Sequence, residues 1–164
     1  MPAKKPCTNC RLHLTRRTIV YGRGSIPADV LFLGDAPGRS EDLTGKAFIG
    51  LSGKLLDQIL IDAGIKTTYY ITNIVLCRPC DTSSGMNREP RSDEVLSCIP
   101  NILSIYNKVR PEKVIFLGNF SERYYKKEFP SAKKIMHPAS LLRGGGKKSP
   151  YYNMNVKLLK EALA

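Results

Sequence analysis

The sequence predicts a three-layer α/β/α domain with a central parallel sheet of four strands. Short apolar or β-branched runs, typical of buried strands, alternate with segments in which apolar residues recur at helical spacing. This alternation is typical of a parallel sheet that helices cover on both faces. The length of 164 residues suits one such domain. We therefore expect residues 1–164 to form a single unit.

Four segments are predicted to be the strands. Residues 30–33 form a continuous apolar run that ends at a glycine, and residues 69–75 are rich in β-branched and aromatic side chains. Residues 113–118 repeat the apolar pattern, and residues 134–136 form a weaker fourth strand. Each run is too short for a helix with a buried face, which favours strands.

The segments between the strands are predicted to be helices or loops. Apolar residues recur at helical spacing within 55–60, between an N-cap serine and a terminating glycine. A long helix is predicted from Ser92 to Val109, with a kink or a break at Pro100. Shorter helices are predicted at 120–129 and at the end of the chain. The Gly- and Pro-rich stretches are predicted to be loops and cover residues 35–50 and 78–91.

Polar residues fall at the carboxyl ends of three predicted strands. Gly34 and Asp35 follow the first strand, Asn73 lies near the end of the second, and His137 follows the fourth. In open parallel sheets, ligands bind beyond the carboxyl ends of the strands. We therefore expect these residues to meet at one ligand site.

The charge balance predicts a polyanionic partner. Lys and Arg total 26 against 14 Asp and Glu, a formal net charge of +12, which favours nucleic acid over a merely solvated basic surface. No apolar run reaches the roughly 18 residues that a membrane span needs. Residues 1–6 are not followed by the apolar segment of a secretory signal. We expect a cytosolic or nuclear protein without a membrane anchor.

The five cysteines indicate metal binding rather than disulfides, because nothing suggests secretion. The two thiols of a Cys-x-x-Cys pair can bind one metal ion or one corner each of a cluster. Two such pairs would suit zinc, whereas a [4Fe–4S] cluster equally accepts two more distant cysteines. Free buried thiols without a metal are the third interpretation, and spacing alone leaves all three open. The cysteines are Cys7, Cys10, Cys77, Cys80 and Cys98.

Several motifs occur in an order that is specific to one family. The chain resembles the iron–sulfur uracil-DNA glycosylases, family 4 of the uracil-DNA glycosylase superfamily. The resemblance extends from the first Cys-x-x-Cys pair to about residue 143. The motifs are Gly-Asp-Ala-Pro-Gly at 34–38, Glu-Asp at 41–42, Gly-Lys-Ala-Phe-Ile-Gly at 45–50, Ser-Gly-Lys-Leu-Leu at 52–56, Tyr-Ile-Thr-Asn-Ile-Val-Leu-Cys-Arg-Pro at 70–79 and His-Pro-Ala-Ser at 137–140.

The resemblance implies an enzyme that flips uracil out of DNA and hydrolyses its bond to the sugar. The expected substrate is single- or double-stranded DNA that contains uracil, and the expected protein is a cytoplasmic, nucleoid-associated monomer. The resemblance also favours a [4Fe–4S] cluster over zinc and leaves Cys80 as a spare. The implied cluster ligands are Cys7, Cys10, Cys77 and Cys98.

The resemblance also implies roles for the pocket residues. Phe48 stacks on the extruded base, and the amide of Asn73 reads O4 and N3–H of uracil. His137 donates a hydrogen bond to O2 as negative charge builds up there. Backbone N–H groups in the loop of Gly34 and Ala36 add further donors. Ala36 stands where the best-known uracil glycosylases have an aspartate.

The catalytic carboxylate and the DNA contacts complete the implied site. Asp35 is expected to position the attacking water or stabilise the sugar cation, although family 4 usually has a Glu there. Leu141, Leu142 and Arg143 follow the histidine motif, where the family has its DNA-intercalating loop. A catalytically weak or silent relative that binds DNA or a protein is the alternative, because the carboxylate of Asp35 is one methylene shorter.

Overall fold

The computed structural model describes residues 6–164. Its centre is a five-stranded sheet in the order β1-β3-β2-β4-β5. Each strand from β2 onwards is followed by one or two α-helices. The strands are β1 (Arg23–Gly24), β2 (Val30–Gly34), β3 (Tyr69–Asn73), β4 (Lys113–Leu117) and β5 (Lys133–Ile135).

Four of these strands are the predicted ones, and they pair in parallel. The prediction of a four-stranded sheet was one strand short, because β1 pairs antiparallel with β3 at its outer edge. The strand is only two residues long, with Arg23 beside Ile71 and Gly24 beside Tyr70. It has no apolar run because it makes an edge rather than a core strand.

Helices cover the sheet, and the described residues form six of them. The long helix has the predicted bounds and passes through Pro100 without interruption. The helices are α1 (Arg39–Thr44), α2 (Leu51–Asp62), α3 (Ser92–Val109), α4 (Asn119–Tyr125), α5 (Pro138–Arg143) and α6 (Tyr152–Leu163).

Among residues 6–164, none of the helices combines the length and the apolar character that a bilayer span requires.

Two separate hydrophobic clusters lie on the two faces of the sheet. Along β2, Leu31 and Leu33 belong to one cluster, which Ile102 of α3 joins. Phe32 belongs to the other cluster together with Leu56 of α2. Alternate side chains of a strand point to opposite faces. The core is therefore split by the sheet into two layers, which confirms the predicted three-layer α/β/α architecture.

Candidate functional site

The carboxyl ends of three parallel strands meet at one edge of the sheet. Gly34 of β2 lies beside Asn73 of β3 in the parallel register, and His137 follows β5 by two residues. Phe48, Asn73 and His137 line one cleft of about 460 Å³ at this edge. The structure thus brings together the three side chains that were predicted to surround a base.

The ring of Phe48 forms a wall of this cleft. Its centroid lies 6.1 Å from that of the His137 ring, and the two planes are inclined by 36°. The backbone of Phe48 has a φ of +52°, which a bulky side chain rarely adopts and which other contacts must enforce. One such contact comes from Gly53, where an added β carbon would lie 1.8 Å from the Phe48 carbonyl oxygen.

Arg23 on the edge strand β1 holds the backbone of Phe48 in place. Its guanidinium donates to the carbonyl oxygen of Ala47 at 2.8 Å and to that of Phe48 at 3.1 Å. The same group forms an ion pair with Asp57 of α2 at 2.7 Å. Arg23 could not be predicted as a site residue from the sequence, because nothing in its neighbourhood distinguishes it from the other basic residues.

Glu41 of α1 closes the loop that carries Phe48. One carboxylate oxygen accepts from the N–H of Ile49 at 3.2 Å and of Gly50 at 2.8 Å. The other accepts from the N–H of Gly38 at 3.0 Å. The carboxylate of Glu41 therefore connects the beginning of this loop to its end and stabilises the conformation of the loop that carries Phe48.

Asn73 presents an unpartnered acceptor to the cleft. Its side chain is 2% exposed, and its Oδ1 atom has no hydrogen-bond partner within residues 6–164. Gly34 leaves room for it, since a β carbon there would lie 2.6 Å from Asn73 Oδ1 and 2.4 Å from Phe48 Cζ. Buried acceptors are nearly always paired in folded proteins, so this oxygen indicates a donor supplied by a ligand.

His137 is held as a neutral hydrogen-bond donor. Its Nδ1 atom accepts from the backbone N–H of Ala139 at 3.0 Å, which caps the N-terminus of α5. Burial, and secondarily the positive charge of Arg143, lower the pKa of His137 to about 4. The single proton of the neutral ring must then be on Nε2, the nitrogen that is free to bind a ligand.

Asp35 lies in a neighbouring cleft of about 530 Å³ that His137 also lines. Its Oδ1 atom is buried and has no partner among the described residues. Burial, reinforced by the charge of Glu89, raises the pKa of Asp35 to about 6, while a hydrogen bond from the backbone of Ser121 acts in the opposite direction. Asp35 is therefore not among the residues that line the base cleft, which Ala36 lines instead, whereas His137 lines both clefts.

The segment predicted to touch DNA divides into exposed and buried residues. Leu142 is 38% exposed, and it lines the base cleft together with Arg143. The position of Leu141 differs from the prediction, because its side chain is fully buried in the core cluster that includes α2. Of the three residues at 141–143, Leu142 and Arg143 are therefore the two that are accessible to DNA in this position of α5.

Four of the five cysteines line one cavity. Cys80 is elsewhere, in a cleft with Arg11, Arg88 and Arg91. Within the part of the chain that the structure describes, no three His, Cys, Asp or Glu side chains are grouped closely enough to hold a single metal ion. The cavity is lined by Cys7, Cys10, Cys77 and Cys98.

Side-chain N–H groups surround the sulfur atoms of this cavity. The amide of Asn101 donates to Cys7 Sγ at 3.7 Å and to Cys98 Sγ at 3.9 Å. The guanidinium of Arg16 donates to Cys77 Sγ at 3.5 Å. Donors of this kind stabilise thiolates, which are the form of cysteine that binds metals.

Comparisons with known proteins agree with the predicted family. A family model described as the uracil DNA glycosylase superfamily matches residues 21–160. The chain is 38% identical over 122 residues to a Type-4 uracil-DNA glycosylase of Saccharolobus solfataricus, covering 73% of this chain and 54% of the relative. It is 38% identical over 119 residues to the Archaeoglobus fulgidus protein of that name, covering 72% and 57%.

A third relative, the Type-4 uracil-DNA glycosylase of Thermotoga maritima, is 37% identical over 115 residues, which cover 70% of this chain and 57% of the relative. The chain therefore spans little more than half the length of the curated relatives it matches. The family model, in contrast, extends over most of the chain, from before β1 into α6. With the parallel sheet and the motifs at its carboxyl edge, this match establishes that the chain belongs to the uracil-DNA glycosylase superfamily.

Proposed function

We propose that this protein releases uracil from DNA by hydrolysing the N-glycosidic bond, which leaves an abasic site. The observation that carries the proposal is the cleft in which a buried, unpartnered amide oxygen, an aromatic ring and a neutral imidazole meet. The names of the similar relatives, all Type-4 uracil-DNA glycosylases, support the same activity.

The side chain of Asn73 accounts for the choice of uracil. Its unpartnered Oδ1 accepts the N3–H of the base, and its Nδ2 then donates to O4. Cytosine has a bare nitrogen at N3 and an amine in place of O4, so both contacts are lost with the same amide orientation. Each mismatch in a buried site costs about 1–3 kcal/mol. Phe48 adds stacking that does not discriminate between bases.

His137 stabilises the leaving base. As the glycosidic bond breaks, negative charge accumulates on O2 of uracil, and the Nε2–H group donates to that oxygen. Since the pKa of His137 is about 4, the ring is neutral at physiological pH and does not need to lose a proton first. A donor aimed at charge that develops only in the transition state lowers the barrier rather than the ground state.

Asp35 acts on the sugar side of the bond. In the carboxylate form it accepts from the attacking water or stabilises the positive charge that the sugar acquires, and the cleft that it lines shares His137 with the base cleft. Its unpartnered Oδ1 is free for that water. The side chain is one methylene shorter than the Glu that the family resemblance leads us to expect.

DNA is the polyanion that suits the net charge of +12. Uracil within a duplex must be extruded before a pocket can enclose it. Leu142 at the mouth of the cleft fills the gap left by the extruded base, and Arg143 binds phosphate.

The cysteine cavity fits a [4Fe–4S] cluster. Cys7, Cys10, Cys77 and Cys98 line it together, and the side chains of Asn101 and Arg16 donate N–H groups to three of the four sulfur atoms. When bound, the cluster supplies four iron–thiolate bonds that crosslink the chain, and hydrolysis of the glycosidic bond requires no electron transfer. Ligation of a cluster by these cysteines would connect the N-terminal segment to the loop after β3 and to α3.

The direct test is a uracil-release assay on single-stranded and duplex oligonucleotides with one uracil. We expect an alkali-labile abasic site at the uracil and none when thymine or cytosine takes its place. No release at a large enzyme excess would contradict the proposal and favour a silent relative that only binds DNA or a protein.

The acidic limb of the pH profile reports Asp35. Its pKa of about 6 means that the carboxylate gains a proton as the pH falls through 6, so the single-turnover rate should fall there. Of the groups that line its cleft, Glu89 raises this pKa and Arg123, Lys134 and Arg143 are cationic. His137 contributes no step between about pH 5 and 8, because its pKa is about 4.

Two substitutions at this position control that experiment. Asp35→Asn should be slow at all pH values and lack the limb, whereas Asp35→Glu keeps a carboxylate and should keep both the limb and substantial activity. A limb that persists in Asp35→Asn would assign it to another group.

Replacement of Asn73 should weaken recognition of the base. Asn73→Ala removes both contacts to the base edge, and we expect a loss of about 10- to 100-fold in the single-turnover rate, equivalent to one or two buried hydrogen bonds. Asn107→Ala, at an exposed position of α3, is the matched control and should be unchanged. Equal rates for the two variants would mean that Asn73 does not read the base.

A further inference from the structure

The mouth of the base cleft carries an exposed leucine to which no role has been assigned. Leu51, the first residue of α2, is 70% exposed. It lines the same cleft as Leu142 of α5. The two side chains come from different helices and are separated by 91 positions along the chain, so their meeting at one opening is a property of the fold.

Exposure alone does not make Leu51 unusual. Ile61, near the other end of α2, is 69% exposed and lines none of the clefts described here. Single exposed apolar side chains are common on protein surfaces. The distinction is position: Leu51 stands at the opening through which a ligand must pass, and two cationic side chains, Arg39 and Arg143, line the same cleft.

The backbone at Leu51 is held in a defined place. The preceding residue, Gly50, donates its N–H to Glu41 at 2.8 Å. Two residues further on, Gly53 packs directly against the carbonyl group of Phe48. These contacts stabilise the position of the Leu51 backbone relative to the backbone of Phe48.

We propose that Leu51 is a second apolar contact to DNA, which packs on the base next to the extruded nucleotide while Leu142 fills the vacated gap. This inference rests on the proposed function. Extrusion leaves the neighbouring bases unstacked, and an apolar side chain replaces part of the lost stacking. Arg39 and Arg143 then bind phosphates on the same side of the cleft. Leu51 is thus a residue that positions the DNA, and it takes no part in bond cleavage.

The contact should matter most in duplex DNA. In a duplex, extrusion competes with stacking and pairing, whereas in a single strand the base is already largely free. Loss of Leu51 should therefore change the ratio of duplex to single-strand cleavage. A residue that only shaped the base pocket would affect both substrates equally.

The experiment compares Leu51→Ala with Leu51→Met and with the matched control Ile61→Ala. Single-turnover uracil release is measured on one sequence as a single strand and as a duplex. We expect Leu51→Ala to lower the duplex-to-single-strand ratio by about tenfold, the effect of removing most of a buried leucine side chain. Leu51→Met should recover most of that ratio, and Ile61→Ala should equal the wild type.

Two further probes do not depend on cleavage. A 2-aminopurine beside the uracil reports unstacking by fluorescence, and anisotropy measures binding to a duplex with a stable abasic-site analogue. Leu51→Ala should reduce both signals relative to Ile61→Ala. If the wild type cleaves nothing but this difference remains, the proposed function fails and the DNA contact stands. If Leu51→Ala equals Ile61→Ala in all assays, or loses activity equally on both DNA forms, the inference is overturned.

Discussion

Replacing His137 by alanine is expected to slow single-turnover uracil release by about 100- to 1000-fold, the usual effect of losing one donor to a developing anion. The donor is effective because the ring is neutral, with a pKa of about 4, and because its Nδ1 is already occupied by the N–H of Ala139. The remaining Nε2–H group faces the cleft that Phe48 and Asn73 also line.

The variant also removes the N-cap of α5, and a second variant separates the two effects. Asparagine is a good N-cap residue, so His137→Asn retains an acceptor for the N–H of Ala139 but lacks the Nε2–H group. We expect both variants to be slow, with His137→Asn closer to the wild type in melting temperature. Normal activity in His137→Asn would show that the cap, rather than the donor, accounts for the loss.

Replacing Cys98 by serine is expected to abolish or severely reduce iron binding. Cys98 is buried in α3 and shares its cavity with three other cysteines, and four thiolates are needed for a [4Fe–4S] cluster. Anaerobically purified wild-type protein should contain about four irons per chain and absorb near 400 nm. Cys98→Ser should lose most of both and melt at a lower temperature, since α3 is no longer crosslinked to the N-terminal segment.

Cys80→Ser is the matched control for this experiment. Cys80 is partly exposed and lies in a different cleft, beside Arg88. It should keep its iron, its absorbance and its melting temperature. Loss of iron in Cys80→Ser with retention of iron in Cys98→Ser would mean that Cys80, rather than Cys98, is the fourth ligand. A wild-type protein that contains zinc and does not absorb near 400 nm would contradict the cluster itself.

The three α/β/α layers, and the meeting of the site residues at the carboxyl edge of the sheet, were predictable because both depend on local sequence patterns. Continuous apolar runs mark buried parallel strands, and the polar residues that follow them must meet at one edge. The edge strand β1 was missed because two residues carry no periodicity. Helices α1 and α5 were missed because each is only six residues long and lies among Gly and Pro.

The residues that support the site were less predictable than those that line it. Arg23 acts through the backbone carbonyl groups of Ala47 and Phe48, and such contacts leave no motif. Glu41 belongs to the motifs of the resemblance, but the backbone N–H groups that its carboxylate binds are not visible in the sequence. Leu142 is exposed and Leu141 is buried because of the orientation in which α5 packs against α2. Neighbouring leucines in so short a helix cannot be distinguished without that packing.

The lone acceptor at the end of β3 has a consequence for the resting protein. The Oδ1 atom of Asn73 is buried and has no hydrogen-bond donor among the described residues. A buried acceptor of this kind lowers the free energy of unfolding of the protein. Under the proposed function, the N3–H group of uracil would supply the missing donor, and part of the affinity for the base would come from satisfying this buried oxygen rather than from new surface contact.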